Sequence, residues 1–94
     1  MTDLEGRSRV ELANRLLQIA HAEQERVIGD RRLTPEADQE LARSRAAAYL
    51  AVEALALGKA SIDAGARHAV QAVTAWVEAI AFCADRGVNH ANFQ

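Results

Sequence analysis

The chain contains one cysteine, Cys83, one proline, Pro35, and one lysine, Lys59. A lone cysteine excludes a disulfide within the chain and a zinc site built from several of its own thiolates. A lone proline leaves long stretches without a helix breaker. Aromatic residues are scarce too: Tyr49, Trp76, Phe82 and Phe93. No glycine-rich phosphate loop is present, and no Glu-x-x-His pair of the kind that builds a ferritin-like carboxylate site. No uncharged run approaches the ~20 apolar residues needed to span a bilayer. The opening Met-Thr-Asp-Leu-Glu-Gly has neither the basic nor the apolar region of a secretory leader. No membrane association is expected, and a reducing cytoplasm is the expected location.

Hydrophobic residues make up 50% of the 94 residues and charged residues 26%, the balance of one small globular domain. Alanine supplies much of the apolar half, so each core residue buries little area. At roughly 25 cal/mol per Å² of apolar surface, such a domain is only marginally stable alone. Association would help it. The net charge is −2, and eight of the ten arginines share the stretch before residue 46 with nine carboxylates. That balance argues against nucleic-acid or anionic-membrane partners. Arg31-Arg32 and the Arg43/Arg45 pair are the only basic clusters, and they read as solvated surface.

Gly29, Gly58 and Gly87 recur every 29 residues, each just past a helix-like segment, where glycine favours the left-handed C-cap conformation. Starts are marked as well. Ser8 with Glu11 fits a capping box, as does Thr2 with Glu5, while Thr34-Pro35-Glu36 and Ser61 with Asp63 place caps and acids at two further starts. The spacing predicts helices near 8–28, 35–58 and 62–86. Short links make neighbouring helices antiparallel. The expected fold is all-α, an up-down-up three-helix bundle over residues 1–94, followed by a tail from 88 to 94. The glycine period also raises a repeat, with Glu11-Leu12-Ala13 aligned on Glu40-Leu41-Ala42 and with Leu4, Leu33 and Ile62 in one phase. In a chain this rich in alanine, such matches arise by chance.

The middle helix is unusual. Leu41, Ala48, Val52 and Leu55 form one apolar stripe, and Ala46, Leu50, Ala54 and Leu57 form a second on nearly the opposite side, with Glu53 the only charge from 46 to 58. A helix apolar on two sides needs cover from two directions. The expectation is a homodimer through helix 2. Its expected interaction residues are Ala46, Leu50, Ala54 and Leu57, together with Trp76 and Phe82 of helix 3.

Candidate chemistry is thin. His21 and Glu25 stand one turn apart, and Glu53 is the candidate third member of a metal set for a helical-bundle enzyme subunit. A buried Glu53 must meet an arginine, bond a hydroxyl such as Tyr49 or bind something, and pairing or partial exposure is preferred to a metal. Arg15 with His21 and Arg86 with His90 read as ordinary surface residues, like His68, and Cys83 as a buried, inert thiol. A helix-turn-helix regulator is the third reading. It lacks the polar residues needed at the start of its second helix, which begins Ile-Asp-Ala-Gly-Ala-Arg. The tail residue Phe93 could dock on an apolar groove. No cofactor and no catalytic residue is expected. The function expected is therefore a non-catalytic interaction module: a regulator, adaptor or inhibitor of a partner protein. Arginine in place of lysine, with abundant alanine, associates it with bacterial, phage or mobile-element genomes.

Overall fold

The computed structural model describes residues 2–88. The expectations for His90 and Phe93 lie outside the described residues. Three helices, α1 (Thr2–Val27), α2 (Pro35–Leu57) and α3 (Ile62–Arg86), each pack against the other two, with the α2–α3 seam the most extensive. Among the described residues there is no strand, only an isolated bridge between Leu33 and Val88. Among the described residues no helix is long and apolar enough to cross a membrane.

The caps of α2 and α3 follow the sequence closely. Thr34 Oγ1 accepts from the Ala37 N–H at 3.2 Å, and Pro35 opens α2, where its missing N–H costs nothing. Ser61 Oγ accepts from the Ala64 N–H at 3.2 Å and opens α3 in the same way. Gly58 ends α2 at φ 72°. Its N–H reaches Leu55 O at 3.2 Å and the Lys59 N–H reaches Ala54 O at 3.1 Å, the paired bonds of a Schellman ending.

Gly87 corrects the expectation drawn from glycine spacing. Its φ is −104°, so it is not a left-handed cap. A Cβ there would lie 2.4 Å from the Ala37 Cβ, so what demands glycine is the close approach of the end of α3 to the first turn of α2. The repeat fails in the same place. Gly29 and Gly58 share positive φ while Gly87 does not, and Leu33 sits in a link while Ile62 begins a helix.

Helix α1 starts at Thr2 rather than near residue 8. Arg9 ties these early turns to the bundle and is only 8% exposed. Its Nη2 pairs with Glu5 Oε1 at 3.1 Å one turn back, and its Nη1 donates to Leu55 O at 3.3 Å. Ser8 is left exposed inside the helix rather than capping it. α2 has no basic residue in its own last turn, so Arg9 supplies the positive charge that a helix C-terminus favours.

At the other end of the bundle, Thr34 N donates to Gly87 O at 2.7 Å, fastening the α1–α2 link to the end of α3. Between these two fastenings lies a core of small residues around one large one. Trp76, Leu55, Ile80 and Cys83 are the largest fully enclosed side chains. Ala20, Ala48 and Ala69 are enclosed as well. Gly65 brings α3 close to Leu55, whose Cδ1 lies 3.3 Å from where a Cβ would stand.

Candidate interaction surface

Along α2, Glu36, Gln39, Arg43, Ala46, Leu50, Glu53 and Leu57 alternate three- and four-residue steps, and all seven are exposed. Such steps place side chains in one line along a helix. Directly behind that line lie Leu41, Ala48 and Leu55, all buried. The N-terminal part of the outer line is polar and its C-terminal part is apolar, broken only by Glu53. Leu50 is 68% exposed and Leu57 64%. Large side chains this open on one line are unusual on an isolated small domain.

Of the six side chains expected to make contacts, Ala46, Leu50 and Leu57 share this line. Ala54 is half-buried at its edge. Trp76 needs correction: it has no exposed surface, and its Nε1 donates to Gln24 Oε1 at 3.0 Å. It is a core residue. Phe82 is half exposed on α3, but it borders a different groove of about 800 Å³ between α2 and α3, together with Glu36, Glu40, Glu78 and Arg86. The Arg86 guanidinium carbon lies 5.9 Å from the centre of the Phe82 ring, within cation–π range.

Leu50 also borders a groove of about 530 Å³ between α1 and α2, whose walls include Asn14, Leu17, Ala46, Tyr49 and Glu53. At its margin an aromatic knot joins all three helices. The His21 ring meets Trp76 edge-on with centroids 4.9 Å apart and Tyr49 at 5.7 Å, and His21 Nε2 is hydrogen-bonded to the Tyr49 hydroxyl. Gln24 accepts from Trp76 and also from Arg45 Nη1 at 3.5 Å. Gln24 was given no role in the sequence analysis. The available signal was that a buried indole N–H needs an acceptor, and Gln24 was the uncharged polar residue on the apolar face of α1.

The metal reading loses its geometry. Glu53 is exposed rather than buried, so no desolvation cost obliges it to find a ligand, and Glu25 is exposed too. Among the described residues no group of three His, Cys, Asp or Glu side chains gathers to hold an ion. His21 spends its Nε2 on Tyr49. Cys83 is enclosed, its thiol donating to Ala37 O at 3.4 Å. Burial, and then the carboxylates of Glu40 and Asp38, push that thiol up, away from the reactive thiolate. What the described surface offers is apolar contact area edged by charge. No family model matches the chain, and neither a curated protein nor a solved structure is found to be similar to it.

Proposed function

We propose that this chain is a non-catalytic helical interaction module that works through the outer face of α2, first with a second copy of itself. The exposure of Leu50 and Leu57 on one line with Ala46 carries the reading. Each leucine gains about 1.5–3 kcal/mol when fully buried. About two-thirds of that remains to be gained at each, so four of them in a symmetric pair gain about 4–8 kcal/mol, the same order as the ~4–15 kcal/mol that association costs. The dimer is thus a reversible one. Within each copy the helices run up-down-up. Arg9 of α1 reaching the end of α2, and the α1–α2 link bonded to the end of α3, both support that order.

With the outer face of α2 engaged, the α2–α3 groove stays open at its Phe82 end. Its rim of Glu36, Glu40 and Glu78, against the single base Arg86, around an alanine floor suits a cationic, amphipathic segment of another protein. The module then acts as a regulator, adaptor or inhibitor of that partner, and the uncombined thiol of Cys83 suits a reducing cytoplasm. Light scattering across a concentration series tests the reading. A mass rising from one copy to two by tens of micromolar is expected, and a single copy throughout removes it.

A further inference from the structure

The outer line of α2 is self-complementary in charge only when read in opposite directions. Two copies of one helix can pair parallel or antiparallel about a twofold axis. In the parallel pairing each residue meets its own counterpart, so Arg43 meets Arg43, Glu53 meets Glu53 and Glu36 meets Glu36. Three like-charge contacts result. In the antiparallel pairing, contacts join positions whose numbers have a constant sum, and the three–four spacing permits only shifts by whole heptads.

One shift sets Ala46 against Leu50, Arg43 against Glu53 and Gln39 against Leu57. Moving one heptad toward the N-terminus brings Glu36 onto Glu53. Moving one heptad the other way sets Glu53 on Leu50 and leaves Arg43 facing beyond the end of α2. Only the first shift matches apolar with apolar and acid with base, and it does so twice by symmetry.

We propose that a second copy lays its α2 antiparallel along this α2, with the twofold axis between Ala46 and Leu50 and an Arg43–Glu53 ion pair on either side. This rests on the self-association proposed above and fixes its direction and register. Arg43 is available for exchange. Its present partner Glu40 lies at 3.4 Å, and both side chains are open to solvent, a pair that holds little energy. Ala46 lies beside the axis, and its small side chain lets the two backbones approach toward the short end of the ~8–10 Å range for packed helices. Leu50 of each copy then covers Ala46 of the other, and Leu57 covers the aliphatic stem of Gln39.

Charge exchange tests it. Arg43→Glu and Glu53→Arg each replace two attractions by two repulsions and weaken the dimer roughly tenfold or more in sedimentation equilibrium. The double variant R43E/E53R restores both pairs and returns the affinity to near that of the parent. Both positions are exposed, so helix content by circular dichroism stays unchanged. A nitroxide attached through Gln39→Cys supplies a second reading. Its separation across the antiparallel dimer is about 27 Å along the axis, from eighteen residues of rise, while a parallel dimer brings the two labels to roughly 10 Å. A parent that dimerises, with singles no weaker or a double that fails to recover, overturns the register and leaves the self-association standing. A parent that stays single at every concentration overturns both.

Discussion

The two faces of α2 have the same apolar content and opposite fates. Leu41, Ala48 and Leu55 on the inner face are buried, while Ala46, Leu50 and Leu57 on the outer face are open. Between residues 46 and 58 nothing in composition separates them. The separation comes from the helix's other half, where Glu36, Gln39 and Arg43 continue the outer line and no charged residue continues the inner one. A rigid helix turns as a unit. Three polar side chains in its first turns therefore aim two leucines in its last turns at solvent. The inner face is completed by neighbours that suit it: Gly65 and Ala69 of α3 allow close approach, and Arg9 satisfies the end of the helix. The outer face has no such complement within the described residues.

The hardest test of this contrast is to remove the same side chain from each face. Leu55→Ala opens a cavity in the core and costs about 2–5 kcal/mol of unfolding free energy. Leu50→Ala changes the unfolding of the dilute single copy by no more than about 0.5 kcal/mol and acts instead on self-association. Urea denaturation at concentrations below the association range measures both. Equal losses at the two positions would mean that both leucines are enclosed, and the distinction between the faces would disappear.

Much of this was legible in the sequence because it rests on local chemistry. Thr34-Pro35, Ser61 and Gly58 mark their helix ends by bonds made within one turn. The surplus apolar stripe of α2 was legible for the same reason, since periodicity reports which residues share a face. What escaped were contacts between residues far apart in the chain. Arg9 caps α2 from forty-six residues away, and Gln24 accepts from Trp76 across fifty-two. Trp76 was expected to make outside contacts, whereas His21 of α1 and Tyr49 of α2 pack against it from distant parts of the chain and it has no exposed surface. Glu53 was left between pairing, partial exposure and ligand binding because the residues beside it are apolar. Those residues, though, point to both sides of the helix, and Glu53 follows the line that faces water.

Glycine offers a smaller test of where the inner surface ends. Gly87→Ala forces a methyl to within 2.4 Å of the Ala37 Cβ unless the end of α3 moves away from α2. The expected loss is about 1–3 kcal/mol. Gly6→Ala, where nothing lies within 4 Å, fills an open helical position and gains about 0.5–1 kcal/mol. Opposite signs for the same substitution in thermal unfolding mark one glycine as packed and the other as free. Below this in size is Thr34→Ala, which removes the acceptor for the Ala37 N–H and costs about 1 kcal/mol. The Thr34 backbone bond to Gly87 survives that change, so the helix frays at its first turn without releasing α3.

The gentlest probe of the inner face is its thiol. Cys83 donates to the carbonyl of Ala37 on α2, and its surroundings favour the neutral form, first through burial and then through the charges of Glu40 and Asp38. In the unfolded chain the thiol titrates near its ordinary value of about 8.5, while in the folded chain it releases its proton at higher pH. Between those two values the folded state holds more protons than the unfolded state, so stability falls as pH rises. Below the unfolded value the contribution is intact. Unfolding free energy measured from neutral to alkaline pH is therefore expected to decline more steeply in the parent than in Cys83→Ala. The two profiles run parallel at neutral pH and diverge only above about pH 8.5. Profiles that stay parallel throughout would mean that the thiol sits in water-like surroundings and that the seam between α2 and α3 is looser than its enclosed residues imply.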